Sequence, residues 1–68
     1  MKVTYQKYAE LRDQRGMSDY RVSKETGIAQ STMSDWKNGL STPKADKLML
    51  IAKALDVRME DLFEEVTV

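Results

Sequence analysis

Hydrogen-bonding side chains are concentrated in one short stretch of the chain, between Gly27 and Gly39. If this stretch is helical, at about 100° per residue, the apolar residues Ala29, Met33 and Trp36 share one face. The opposite face then carries small or polar residues, namely Gln30 at the leading tip, Ser31, Ser34, Asp35 and Asn38. A short helix is not stable alone in water, so neighbouring elements must hold its apolar face and direct its polar face outward. The pattern therefore predicts a helix that contacts a partner, and its size fits a DNA groove.

The residue types in this stretch match the edges of DNA bases. Gln30 can pair with the N6 and N7 atoms of adenine, and Ser31 and Ser34 can each donate or accept one hydrogen bond. The carboxylate of Asp35 can only accept, which favours the cytosine N4 amino group, and the methyl group of Thr32 suits the methyl of thymine. The alternative is that these are solvated polar residues on an exposed helix. The residue types alone do not decide between the two interpretations.

Capping signals and hydrophobic spacing predict the elements that hold this stretch, a compact all-α bundle of five helices. The helices are expected from Thr4 to Gly16, from Ser18 to Thr26, between Gly27 and Gly39, from Pro43 to Leu55 and from Met59 to Glu64. Thr4, Ser18 and Thr42 are the predicted N-caps. The last four residues, 65–68, are expected to form a frayed terminus rather than a strand.

Apolar residues at helical spacing predict the core, with Ile28 between the second and third helices. Trp36 could stack on a base, but its position beside Met33 favours the core. The tyrosines of the first helix, Tyr5 and Tyr8, are expected to pack in or against the core with their hydroxyl groups in water.

Composition excludes several classes of protein. The chain has 68 residues, which predicts one domain spanning residues 1–68, and it has no Cys and no His. Disulfides and the common transition-metal ligands are therefore missing, so no metal or cofactor is expected. No apolar run approaches the roughly 18 residues of a membrane span, which favours a cytoplasmic protein. Scattered acids and a short chain with little room for a cavity predict that it is not an enzyme.

The formal net charge is zero, but the charges are segregated along the chain. Residues 1–55 carry ten Lys or Arg and six Asp or Glu, a net of +4, whereas residues 56–68 carry one Arg and five acids, a net of −4. A basic body with an acidic end could orient on a polyanion, although such a bias is ordinary in a soluble protein.

The segment 18–39 resembles the helix-turn-helix of the Cro-like and phage-repressor-like regulators, the XRE family. The resemblance continues through a series of further anchors and covers nearly the whole chain from Leu11 to Phe63. These anchors are Ser41-Thr42-Pro43, Leu48, Ile51-Ala52, Ala54-Leu55, Val57 and Asp61-Leu62. This resemblance implies a lambda-repressor-like fold with the helix-turn-helix at about residues 18–38.

The resemblance also implies a function and a set of site residues. The chain is expected to be a sequence-specific, double-stranded DNA-binding transcriptional regulator, a repressor of phage or mobile-element type that binds a palindromic operator as a homodimer. Base contacts are expected from Gln30, Ser31, Thr32, Ser34 and Asp35, and phosphate contacts from Ser18, Lys24, Lys37, Asn38 and Lys44. Apolar residues in the segment 50–68 are expected to form the dimer interface, namely Leu50, Met59, Phe63 and Val66.

The chain departs from the family at several positions. Members commonly pair a basic residue at the place of Arg12 with an acid at the place of Lys37, but both are basic here. Lys37 is then free for a phosphate, or Arg12 turns to Asp13 or Glu25. Asp19 replaces a glutamine that contacts the DNA backbone, a contact that a carboxylate cannot make.

Three further departures affect helix packing and helix ends. Ser23 stands where members usually have alanine, at the close crossing of the two helices. Ala29 replaces an N-cap Ser or Thr, which costs roughly 1 kcal/mol unless Gln30 caps instead. Asp56 occupies a position that favours glycine.

A second function class remains open: a protein-interaction module on the same fold, such as an antitoxin or an accessory subunit with a protein partner. The zero net charge, Asp19 and Asp35 favour it. Salt discriminates between the two, because binding through several phosphates weakens steeply as salt rises.

Overall fold

The computed structural model describes residues 2–64, which form four α-helices, one 3-10 helix and a small two-stranded ribbon. The α-helices are α1 (Tyr5–Gln14), α2 (Asp19–Thr26), α3 (Gln30–Lys37) and α4 (Ala45–Leu55), and the 3-10 helix is Met59–Leu62. Strand β1 (Lys2–Val3) pairs antiparallel with β2 (Phe63–Glu64). The predicted helical fold is confirmed, but the fifth helix is not an α-helix.

The fifth predicted helix is short because extended residues bound it on both sides. Arg58 before it has ψ 153° and Phe63 after it has ψ 137°, which leaves only four residues in the turn between them. Phe63 is drawn into β2, opposite Val3. The predicted frayed terminus at residues 65–68, and Val66 within it, lie outside the described residues.

Two predicted N-caps are confirmed. The Oγ1 of Thr4 accepts a hydrogen bond of 3.2 Å from the N–H of Lys7, and the Oγ of Ser18 accepts one of 3.1 Å from the N–H of Arg21. Each side chain satisfies one of the N–H groups that a helix leaves without a partner in its first turn. These contacts fix where α1 and α2 begin.

The predicted start of α4 is wrong by two residues. Lys44, not Thr42, is the N-cap, and the helix begins at Ala45 rather than at Pro43. Pro43 is buried, so the segment 41–44 stays irregular while it carries the proline ring inward. The φ angle that proline imposes suits both an extended segment and a helix start, so the Thr-Pro pair did not distinguish them.

One hydrophobic core joins all the helices. Its buried members are Tyr8, Val22, Ile28, Met33, Trp36, Leu48, Ile51, Ala52, Leu55 and Leu62. Trp36 is 5% exposed, and its ring stacks on Tyr8 with a centroid distance of 5.1 Å and meets the ring of Tyr5 edge-on at 5.7 Å. The interpretation of Trp36 as a core residue is therefore confirmed, and this aromatic cluster packs α1 against α3.

Candidate nucleic-acid interface

Side-chain hydrogen bonds fix the turn between α2 and α3. Gly27 ends α2 in the left-handed conformation, with φ 77°. The Ser23 hydroxyl donates to the carbonyl of Ile28, and the Thr26 hydroxyl accepts from the N–H of Ile28 at 3.2 Å and donates to the carbonyl of Val22 at 2.7 Å. Ile28 itself is 5% exposed and fills the space between the helices, as predicted. The roles of Ser23 and Thr26 were not predicted, although their hydroxyl groups close to a glycine turn were a visible signal.

Helix α3 is held by its apolar face and presents its polar face to solvent. Met33 and Trp36 are buried at 1% and 5% exposure. Four of the five residues predicted to contact bases are exposed, namely Gln30, Ser31, Ser34 and Asp35. The fifth, Thr32, is half-buried. The structure thus brings the four exposed residues together on one accessible surface, with Thr32 at its edge.

The N-terminus of α3 has a weak cap. Ala29 is the N-cap and has no side-chain group that can accept a hydrogen bond, as the sequence predicted. Gln30 is the first helical residue and does not take over the capping position. Its amide therefore stays at the exposed tip of the helix, where both its donor and its acceptor can reach a base edge.

The residues predicted to contact phosphates are exposed and come from α2 and α3, with their caps, and from the residue that caps α4. Ser18 caps α2, Lys24 lies in its last turn, Lys37 ends α3, and Lys44 caps α4. Asn38 follows α3, and its Nδ2 lies 3.5 Å from the Oγ of Ser34. Each of these side chains is therefore accessible to a partner.

A recess of about 380 Å³ lies between α3 and the start of α4. It is lined by Thr32, Ser41, Thr42, Pro43, Lys44, Asp46 and Lys47. Lys47 adds a second cation beside Lys44 and was not predicted from the sequence. Its place in the first turn of α4, on the same recess as Thr32, only becomes visible when α4 is packed against α3.

Asp19 accepts hydrogen bonds from three side chains of α1, a role that was not predicted from the sequence. Its Oδ2 accepts a hydrogen bond of 2.6 Å from the Tyr5 hydroxyl, and its Oδ1 accepts bonds of 2.7 Å from the Tyr8 hydroxyl and from Nη1 of Arg12. The expectation that the tyrosine hydroxyls lie in water is therefore wrong. The spacing of residues 5, 8 and 12 on one face of α1 was a signal for a shared acceptor.

The contacts of Asp19 change its titration. Partial burial of the Asp19 carboxyl opposes its ionisation, but the hydrogen bonds from Tyr5, Tyr8 and Arg12, together with the charge of Arg12, outweigh that effect and lower its pKa. The pKa of Tyr8 is raised by its burial and by its hydrogen bond to the ionised Asp19. Asp19 is thus an ionised acceptor that joins α1 to the first turn of α2.

Arg12 settles one of the alternatives left open by the sequence. It binds Asp19 and also Asp13, whose Oδ1 lies 3.0 Å from its Nη2. Asp13 was one predicted partner, whereas the other, Glu25, lies 3.5 Å from Arg21 on α2 instead. Lys37 forms no ion pair within residues 2–64 and remains exposed.

The residues predicted to form a dimer interface differ in their exposure. Leu50 is 45% exposed on α4, beside Met49 at 61%. Met59 is half-buried and packs against the core, and Phe63 is half-buried in β2. An open apolar recess of about 410 Å³ lies between α4 and the 3-10 helix, lined by Met49, Ala52, Lys53, Asp56, Val57 and Met59.

The sequence pattern of the Cro/C1-type HTH DNA-binding domain matches residues 9–67 of the chain. The match includes α2, the turn and α3, as well as α4 and the 3-10 helix. No match was found among curated proteins. Among the residues that the structure describes, no helix has the length and apolar character needed to cross a membrane.

Proposed function

Because the chain belongs to the family of Cro/C1-type HTH DNA-binding domains, we propose that it is a sequence-specific regulator of transcription that reads double-stranded DNA with α3. The observation that carries this proposal is the division of α3 into two faces. Its apolar residues, Met33 and Trp36, are buried, whereas its hydrogen-bonding residues are exposed together. In a helix-turn-helix, the N-terminal residues of the second helix contact base edges in the major groove.

The base contacts come from Gln30, Ser31, Ser34 and Asp35, with Thr32 at the edge of the surface. Gln30 pairs with adenine, Asp35 accepts from cytosine, and the two serines each make a single bond. Phosphate contacts come from the N-terminus of α2 at Ser18 and from Lys24, Lys37, Asn38 and Lys44, which position the protein without selecting a sequence. Lys47 joins them, since it lines the same recess as Lys44.

The protein acts as a homodimeric repressor of phage or mobile-element type that occupies a palindromic operator in the cytoplasm. One small module buries too little surface for tight specific binding, so two copies must bind together. Two-fold symmetry would place their recognition helices about 34 Å apart in successive major grooves. Leu50, Met59 and Phe63 form the dimer interface, and the exposed Met49 extends it. Val66, which the sequence also predicts there, lies outside the described residues.

Selection of bound duplexes from a random DNA library at near-physiological salt tests this function. We expect enrichment of a palindrome with half-sites one helical turn apart. Gln30→Ala should then relax the preference at one position of each half-site and cost about 1 to 3 kcal/mol of discrimination there. Gln6→Ala on the exposed face of α1 is the matched control and should leave the selected sequence unchanged.

Failure of the selection would point to the second function class, a module that binds a protein partner. The observation that favours it is the exposure of two apolar residues of α4, Leu50 and Met49, the second of which lines the apolar recess. Asp19 no longer supports it, because internal hydrogen bonds account for its carboxylate. No enriched sequence, with weak binding that only fades as salt rises, would contradict the proposed regulator and favour this class.

A further inference from the structure

The guanidinium of Arg12 already contacts two carboxylates and two aromatic rings within the protein. Its Nη1 lies 2.7 Å from Oδ1 of Asp19 and 2.9 Å from the hydroxyl of Tyr5, and its Nη2 lies 3.0 Å from Oδ1 of Asp13. The guanidinium carbon is 5.9 Å and 5.6 Å from the ring centroids of Tyr5 and Tyr8. The side chain is only 17% exposed, so little of its charge faces solvent.

The position of this ion pair matters for a protein that binds DNA. Asp19 is the first residue of α2 and directly follows the N-cap Ser18. In a helix-turn-helix, the helix before the recognition helix crosses the phosphate backbone. The N–H groups of its first turn are therefore expected to meet a phosphate, and a carboxylate at this point cannot donate to that phosphate. Arg12, which could bind a phosphate through its fork of donors, instead faces this carboxylate.

We propose that Asp19 withholds Arg12 from the DNA backbone and so sets the number of phosphate contacts that the protein makes. Asp19 is a positioning residue in this role, because it acts on DNA through Arg12. Phosphate contacts strengthen binding to every sequence alike and determine its salt dependence, whereas base contacts determine the preferred sequence. Asp19 therefore limits sequence-independent affinity and leaves the preferred operator unaffected. This inference rests on the proposed function.

The test measures affinity for duplex DNA against salt for Asp19→Asn. Removal of the carboxylate charge leaves the exposed Asp13 as the one acidic partner of Arg12 among the described residues. A pair exposed to solvent is weak, so Arg12 can turn to a phosphate, and the variant should bind both operator and unrelated duplexes more tightly at low salt. The slope of log affinity against log salt should steepen by about 0.9, the value for one added phosphate contact. Between 50 and 200 mM salt, this corresponds to about a threefold greater loss of affinity than in the native protein. The selected operator sequence should stay the same.

Asp13→Asn is the matched control. It removes the same charge and another partner of Arg12, but Asp13 is 69% exposed and lies on α1 itself, so Arg12 remains bound to Asp19. Its salt slope should equal that of the native protein. The double variant Arg12→Gln with Asp19→Asn should also return to the native slope, because the freed cation is gone.

Arg12→Gln alone keeps the inference testable if Asp19→Asn does not fold. Its slope should equal the native one, because Arg12 makes no phosphate contact in the native protein. A slope reduced by about one in this variant would overturn the inference, as would an unchanged slope in folded Asp19→Asn. If the native protein binds no duplex at all, the proposed function fails as well. If the native protein binds and only the slopes disagree, the inference fails alone.

Discussion

At the scale of single residues, Asp19 shows how a departure from the family pattern can be compensated within the molecule. The sequence indicated that Asp19 loses a contact with the DNA backbone and that Arg12 lacks the acid with which family members pair it, leaving Asp13 or Glu25 as its partner. In the structure these two departures compensate each other, because Arg12 and two tyrosine hydroxyls all donate hydrogen bonds to Asp19. The residue types on one face of α1 were visible in the sequence. Which of the nearby carboxylates would receive them depends on the packing of α1 against α2, and helical spacing cannot supply that.

The contribution of Asp19 to stability should depend on pH. Its pKa is lower in the folded protein than in the unfolded chain, so it stabilises the fold above the unfolded value of about 3.9. That stabilisation is lost as the pH falls through the pKa of the folded state. Urea unfolding should therefore show Asp19→Asn clearly less stable than the native protein at pH 7, with a difference that shrinks towards pH 3. The exposed Glu10→Gln should show little difference at pH 7. A gap between Asp19→Asn and native that stays constant with pH would contradict the role of the ionised carboxylate.

At the scale of elements, the helix ends that depend on a residue and its immediate neighbours were predicted correctly. The features that depend on packing between distant segments were not. The caps at Thr4 and Ser18 and the left-handed ends at Gly27 and Asp56 each follow from the residue and its immediate neighbours. The start of α4 was misplaced because the Thr42-Pro43 pair suits both an extended segment and a helix start, and the packing that buries Pro43 decides between them. The ribbon was missed because it joins residues 2–3 to residues 63–64, and two-residue strands leave no recognisable pattern.

The weak cap of α3 offers a direct test of how an element is held. Ala29→Ser should stabilise the protein by about 1 kcal/mol, because the new Oγ can accept from an N–H in the first turn. For a chain of this size that corresponds to a rise in melting temperature of about 4 to 8 °C. Ala29→Val, which cannot cap, should give no such gain. Thermal unfolding with no increase for Ala29→Ser would mean that other groups already satisfy the first turn of α3.

At the scale of the whole molecule, capping signals and hydrophobic spacing predicted the four α-helices and the buried face of α3, but they predicted neither the ribbon nor the 3-10 form of the fifth helix. The polar network beneath α2 and the cation at Lys47 were not predicted, because they arise where separate helices meet. The zero net charge is also weaker evidence against DNA binding than the sequence alone indicated. Part of the acidic charge in the basic body is used internally by Asp13 and Asp19, which bind Arg12. The cations Lys37, at the end of α3, and Lys44, before α4, remain exposed.

The proposed dimer is a property of the whole molecule and can be tested through Leu50. This residue is 45% exposed and makes a better target than Phe63, which is half-buried in the ribbon and whose replacement could disturb the fold. Leu50→Glu should convert a species of twice the chain mass into a monomer of 7.8 kDa in sedimentation. It should also weaken binding to the full operator, because a monomer reads only one half-site.

Gln6→Glu adds the same charge at an exposed position of α1 and should remain dimeric. A dimeric Leu50→Glu would exclude this face of α4 from the interface, and a monomeric native protein bound to a palindrome would mean that the two copies meet only on the DNA.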